Sequence, residues 1–414
     1  MINTSGSGKN TPPGPPKVGP KALKALEQTL SPQAREDIKE AVRLWVKVKE
    51  AGGRVVVATG SGPNLHEGAC AQVAELVSRG LVDGVLTSSA VVGHEMAGAL
   101  ERVRRVQGAR VGLAPEVLPA DGRVEVALLS AEALARISHD TVIDLDHYRR
   151  LLAAPGREII KVAGNLAYPT GLWTERLARR LETLAKRAGL ALEAAAGLGA
   201  DPLTMLGACA ARGVPCLVTV PQLVGGGQVG LAVGDSISIS RRSGLVAELL
   251  AGADLILESG VALTQEIHDG PFELFSGHGL WARHEGQPTF SLRDKAIVRL
   301  DLDPQVRRVW EHERQKGAVS RAIEHGQPKA ASLSPGFRME MSGFARIPGA
   351  LPIQADLGAA WPLISAGVAR ALGVKLRFMC YKQGTALGEA VRAYLVDEVR
   401  PLDPSAVAQA LKES

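Results

Sequence analysis

Three groupings of this 414-residue chain carry residue types suited to moving protons: His66-Glu67, His94-Glu95, and the run "TQEIHDGPFELFSGHG" with Glu266, His268, Asp269 and His278. An imidazole beside a carboxylate can act as general acid and base near neutral pH. Acidic residues also gather at helix N-termini for the dipole alone, so "HEMAGALERV" has a second reading as a helix start, and His66-Glu67 shares that ambiguity. The third run is denser and follows a strand that ends near Glu258. Titratable groups in such numbers mark sites rather than cores, which favours Glu266, His268 and Asp269 as catalytic candidates. Carboxylates and imidazoles also bind divalent ions, but no His-x-x-x-His or related spacing occurs, so no metal is expected. Cys209, in "TMLGACAARG", is either a small core residue or a nucleophile.

A second set of residues has the character of a cofactor cradle. The β-branched run Val55–Val57 ends in Gly60-Ser61-Gly62-Pro63-Asn64, and a helical stretch follows. A second buried-looking strand, 82–86, then ends in Thr87-Ser88-Ser89. This is a βαβ pattern whose small-residue turns fall on one edge of a sheet, where helix N-termini offer N–H groups to phosphates. The turn lacks the full G-x-G-x-x-G spacing, and a plain tight turn is the alternative. Gly225-Gly226-Gly227 either let a ligand approach the backbone closely or form a flexible loop. Asp301 and Asp303 end a late strand, "VRLDLDP". Asp303-Pro304 reads as a helix cap followed by proline at the first helical position, leaving Asp301 to meet ribose hydroxyls.

The elements that must position these groups are α/β in rhythm. Apolar residues make up 46% of the chain and aromatics 4%, so the core is aliphatic, as in strands covered on both faces by helices. About six strands alternate with helices and predict a doubly wound parallel sheet of Rossmann-like type. Residues 1–20, rich in Gly, Pro and Ser, predict a disordered tail. Residues 21–316 form the expected nucleotide-binding domain, with an insertion at about 110–150, and 317–414 a linker and C-terminal element completing the sheet. "REIIKVAGN" reads as the strand at which the α/β rhythm resumes. The net charge of +5 is spread along the chain, and no Lys/Arg run with interleaved aromatics points to nucleic acid. Cys70, Cys209, Cys216 and Cys380 show no C-x-x-C spacing and suit free thiols in a reducing compartment. Without a membrane-span candidate or secretory signal, a soluble cytoplasmic protein with no membrane partner is expected.

From about residue 52 to 364 the blocks resemble, in order, the deoxyhypusine synthase-like NAD-binding superfamily. They look closest to its archaeal and cyanobacterial ornithine cyclodeaminases, related by name to lysine-oxoglutarate reductase/saccharopine dehydrogenase. "GPNLHEGACAQVAELVSRGLVDGVL" is similar to that family's Gly-Pro, His, "EGYVDALL"-type segment. "SSAVVGHEM" is similar to its Asn-Ala-x-x-x-His-Asp motif, with His94 on the His and Glu95 on the acid. "CAARGVPCLV" places Cys209 on the family Cys, "VRLDLDPQV" resembles its Asp-x-Asn-Pro strand end, and "QADLGAAWPLI" its Thr-Asp-Val-Gly block. "VPQLVGGGQVG" keeps Pro221 and Leu223 but loses the acidic loop of both relatives. "SISISRRSGLV" lacks the lysine of the protein-modifying branch, which argues against protein-lysine modification.

The resemblance implies NAD as cofactor, a small-molecule substrate, a homo-oligomer (dimer or tetramer), and oxidation of an amine- or hydroxyl-bearing carbon to an imine or ketone. Redox-neutral cyclodeamination of ornithine-like amino acids is the specific form. Two alternatives come from other classes: a metal-dependent hydrolase or lyase without NAD, and a catalytically degenerate nucleotide-binding protein.

Overall fold

The computed structural model describes residues 14–60, 62–260, 292, 295–328 and 339–413. Six parallel strands form the central sheet: β1 (Val55–Thr59), β2 (Gly84–Thr87), β7 (Cys216–Val218), β8 (Leu255–Ser259), β9 (Ala296–Asp301) and β10 (Ala350–Gln354). Their order is β10-β9-β8-β1-β2-β7. Alternation along β1 shows why helices must cover both faces. Val55 and Val57 enter one core, with Trp45, Val73 and Trp361. Val56 and Ala58 enter another, with Leu250, Val309 and Phe344. Every residue of β1, β2, β7 and β8 is buried, as expected for a sheet sandwiched between helical layers. The architecture is the Rossmann-like α/β fold that the sequence predicts, with β10 from the C-terminal element as edge strand beside β9.

A second, four-stranded sheet packs beside this core in the order β5-β3-β4-β6. It comprises β3 (Leu100–Gln107), β4 (Arg123–Ala127), β5 (Gly156–Val162) and β6 (Ala167–Tyr168). The expected 110–150 insertion therefore lies inside a longer unit. "REIIKV" does not resume the parallel sheet, because it pairs antiparallel with β3, Glu101 opposite Lys161. The reason is visible in burial: β5 is exposed or half-exposed until Val162, unlike the strands of the central sheet.

Local chemistry sets the helix boundaries. Two helices precede β1, Pro20–Thr29 and Pro32–Glu50, separated where Ser31 accepts a hydrogen bond from the Ala34 N–H. Asp303 caps Pro304–Lys316 through the Gln305 N–H, as the Asp-Pro pair predicts. Ser88 caps Ser89–Met96 and Asp356 caps Leu357–Ala371. All four cysteines are buried free thiols. None of the described helices is long and apolar enough to cross a membrane.

Candidate active site

From β1 the chain passes to β2 on one side, and it returns as β8 on the other, which makes the β1/β8 boundary the topological switch point of the sheet. Ligands of open α/β sheets lie beyond the carboxyl ends of the strands at such a boundary. A cavity of about 360 Å³ occupies that position, between Gly60 after β1 and Gly260 after β8. Pro63, Asn64 and Glu67 close one side, and Asp301, Asp356 and Leu357, at the ends of β9 and β10, close the other.

Asn64, which lines the cavity, is held by a chain of hydrogen bonds. The Trp361 indole N–H donates to Ser259 Oγ at 2.9 Å, the Ser259 hydroxyl donates to Asn64 Oδ1, and Asn64 Nδ2 donates to the Ser259 carbonyl at 3.0 Å. Gly260 has φ +76°, a left-handed turn suited to glycine, and a Cβ there would lie 3.6 Å from the Asn64 amide. At Gly62 an added Cβ meets no atom within 4 Å, so the turn after β1 leaves open space at that position.

Three carboxylates give the cavity its negative character. Asp301 accepts the Asp303 N–H at 3.0 Å and lies 3.4 Å from Arg299. Asp356 accepts the Gly358 N–H at 2.9 Å and pairs with Lys382 at 3.5 Å. Glu67 accepts the Gln383 N–H at 3.0 Å, and burial followed by the nearby Asp356 charge raises its pKa against that bond. Among the described residues no group of three or more His, Cys, Asp and Glu has the arrangement to hold a metal.

Beside the cavity, toward the second sheet, lies a cationic and imidazole group. His66 follows Asn64 and Leu65 on the Gly62–His66 turn of helix. Its pKa is lowered by burial first, then by Arg392 and Lys161, while Gln383 hydrogen-bonds to it. His94 is pushed down to about 4, mainly by burial, then by Lys161 and His66. Both rings are therefore neutral near pH 7, the state in which an imidazole accepts a proton. Gly164, at φ +137°, closes on the His94 ring, where an added Cβ would fall 2.6 Å from Nδ1. Lys161 itself pairs with Glu125.

The predicted His94-Glu95 pair is divided by the helix that carries it. Glu95 is fully buried and turned away from the His94 ring, and its two oxygens accept the Met205 and Leu206 N–H groups at 3.0 Å each. It thereby holds the N-terminus of Met205–Arg212, the helix that bears Cys209 beside Cys216. Burial raises the Glu95 pKa to about 7 against those two donors. The Thr87 hydroxyl accepts from Thr59 at 3.0 Å, Ser88 is a helix cap, and Ser89 donates to the Gln222 carbonyl at 2.9 Å. None of these three lines the switch-point cavity.

Gly225 and Gly226 belong to a 3-10 turn rather than a loose loop. Gly226 packs on the Ser89 carbonyl, where a Cβ would lie at 2.9 Å, and Gly227, at φ +58°, packs on the Asn165 amide. Of the predicted cofactor contacts, Gly60, Pro63, Asn64 and Asp301 come together around one cavity. Ser61, Glu266, His268, Asp269 and His278 lie outside the described residues. Asp356, Gly260 and Lys161 escaped sequence reasoning. The Asp-Leu-Gly after a strand was the available signal for Asp356, since Asp-x-Gly caps a helix at a strand's carboxyl end.

No protein-family profile matches the chain, and no curated protein matches it in sequence. Several solved structures are similar to it. One is a conserved LOR/SDH protein from Methanococcus maripaludis S2, at 10% identity and TM-score 0.37, covering 89% of this chain and 74% of that one. Another is ArgZ, an arginine dihydrolase from the ornithine-ammonia cycle in cyanobacteria, at 13% identity and TM-score 0.36, covering 85% and 32%. A third is AgrE in a ternary complex with ornithine and NAD+, at 13% identity and TM-score 0.38, covering 84% and 34%. The chain thus spans about a third of the length of ArgZ and AgrE.

Proposed function

We propose that this chain binds NAD at the β1/β8 switch point and acts on a small polar substrate carrying an amine or hydroxyl, converting the carbon that bears it to an imine or ketone. In its specific form the reaction is a redox-neutral cyclodeamination of an ornithine-like amino acid, as the motif resemblance implies. The observation that carries the reading is the cavity between Gly60 and Gly260 with Asp301 at the end of the next strand. An acid at a strand end beside the switch point is placed to accept hydrogen bonds from ribose hydroxyls.

The residues present fit the cofactor. Gly60 and Gly260 flank the cavity without side chains, which lets a phosphate approach the backbone there. NAD, when bound, supplies the hydride acceptor that no side chain provides. The protein's part is to orient the ligand, exclude water and handle protons. His66, on the helical turn that lines the cavity, is neutral near pH 7 and is the described base nearest in sequence to Asn64. His94 stands behind it, and Lys161 and Arg392 supply positive charge that suits a substrate carboxylate. Glu266, His268 and Asp269, which follow β8 in sequence, remain candidates for the substrate ammonium group.

Calorimetry with NAD, NADP and AMP on ligand-stripped protein tests the cofactor. Binding of none of the three overturns the reading, and tight stoichiometric metal without nucleotide would favour a metal-dependent hydrolase or lyase. Screening ornithine, other diamines and hydroxy acids by NADH absorbance and ammonia release then identifies the substrate. Conversion of ornithine to proline supports the specific form, and turnover confined to hydroxy compounds replaces it.

A further inference from the structure

A second cavity, of about 250 Å³, lies between the start of β3, the helix Ala131–Asp140 and the end of the helix Ala386–Glu398. It shares no lining residue with the switch-point cavity. Glu101 and Thr170 line its interior and are 7% and 2% exposed. Among the described residues neither oxygen of the Glu101 carboxyl has a hydrogen-bond partner, and neither does the Thr170 hydroxyl. Buried carboxylates without donors are costly, and native proteins satisfy them.

The mouth has the complementary character. Arg102 pairs with Asp397 at 3.3 Å and Arg400 with Glu132 at 3.5 Å. Arg136 donates one N–H to the Pro401 carbonyl at 3.2 Å and has no carboxylate partner among the described residues. An acid inside and a rim guanidinium that, among the described residues, meets a carbonyl but no carboxylate form a bipolar site. The volume lies below the roughly 300 Å³ at which ordinary small-molecule pockets begin, so the occupant is smaller than a nucleotide.

We propose that this cavity binds a small free amino acid, its ammonium group held by Glu101 and Thr170 and its carboxylate by Arg136. The proton balance follows from the groups around Glu101. Burial raises its pKa to about 8, and Glu125 adds to that. Lys161 opposes it, and the Thr170 hydroxyl and Gly164 N–H approach without reaching hydrogen-bond geometry. Tyr148 also faces it from the helix Leu145–Ala153 and stays neutral, its own pKa raised. Near pH 7 the empty site is therefore mostly protonated. An arriving ammonium keeps its own proton, Glu101 releases one to solvent, and an ion pair forms.

Calorimetry near pH 7 in two buffers of different ionisation heat, with L-alanine, L-lysine, putrescine and propionate as probes, tests this. The wild-type protein should bind the amino acids one to one and release close to one proton. Glu101→Gln mimics the protonated carboxyl, so it should fold with an unchanged or higher Tm. It should bind at least tenfold more weakly and release no proton. Thr170→Val should weaken binding severalfold. Arg136→Met should weaken the amino acids while leaving putrescine unchanged. NAD affinity should be the same in all four proteins, which separates this site from the switch point. Failure of wild-type protein to saturate with either amino acid overturns the proposal, as does propionate binding equally well. Undiminished binding with the same proton release in both Glu101→Gln and Thr170→Val overturns it too.

Discussion

Asn64 and Ser259 are joined twice, the Asn64 amide donating to the Ser259 carbonyl and the Ser259 hydroxyl donating back to Asn64 Oδ1. Ser259 ends β8 and Asn64 sits on the helical turn that follows β1, so the clasp spans the crevice at which the sheet reverses direction. One amide N–H and the amide oxygen are engaged in this contact. Asn64 thus shapes the cavity, whatever it contributes to a ligand.

Asn64→Ala should therefore lower stability and ligand affinity together. Two buried hydrogen bonds are lost, and the Ser259 carbonyl keeps its bond from the Gly60 N–H at 2.9 Å. The cost should be about 2 kcal/mol, at roughly 1 kcal/mol per bond. Thermal melts with and without NAD measure both effects. An unchanged Tm would show that the clasp is incidental.

Glu95 gives a contrasting expectation. Its two oxygens hold the first N–H groups of the helix Met205–Arg212 inside the core. Glu95→Ala leaves both donors buried and unsatisfied, a loss of about 2–5 kcal/mol. Glu95→Gln keeps one acceptor and should lose less. Denaturant melts report the order Ala, Gln, wild type. If Glu95→Gln instead matches wild type in stability and abolishes turnover, Glu95 is a proton-transfer group.

How much of this was legible in the sequence depends on the range of the interaction. The parallel strands announced themselves because burial on both faces writes continuous runs such as "RVVVATG" and "DLILESG". Asp303 was legible as a cap because capping is local, one side chain to an N–H two residues on. The destination of Glu95 was not, because its partners lie 110 and 111 residues away. Adjacent residues on a helix point about 100° apart, so a His-Glu dipeptide within one is seldom a working pair. "REIIKV" misled because its alternating chemistry belongs to a half-exposed antiparallel strand, and only pairing with β3 reveals that.

Asp301 should set both affinity and cofactor choice. With Glu67 and Asp356 it makes the cavity acidic, and a 2′-phosphate brought among three carboxylates is repelled. NAD should bind more tightly than NADP. Asp301→Asn retains an oxygen to accept the Asp303 N–H but removes the charge 3.4 Å from the fully buried Arg299, so its Tm should fall and the titrations are made well below that Tm. It should weaken NAD roughly ten- to a hundredfold, the range for a hydrogen bond to a charged group, and narrow the preference over NADP. Parallel titrations of the two cofactors decide. Equal NAD affinity in both proteins would remove Asp301 from the site.

His94 makes the acid side of the stability curve diagnostic. In the folded chain burial, Lys161 and His66 hold its pKa down to about 4, whereas the unfolded value is 6.5. Unfolding therefore takes up a proton between those two values, and stability is lost as pH falls from about 6.5 toward 4. Above about pH 7 both states are neutral and the residue contributes nothing to the slope. The full effect is at most roughly 3–4 kcal/mol, at 1.36 kcal/mol per pH unit. His66, Glu125 and Asp144, whose pKa values are also lowered in the fold, likewise contribute stability that is lost on the acid side. They are unchanged in a His94→Gln variant, so the difference between the two proteins isolates the imidazole. The Tm of His94→Gln should fall less than that of wild type between about pH 7 and about pH 4.5. Parallel curves would mean that the ring is solvated enough to protonate in place.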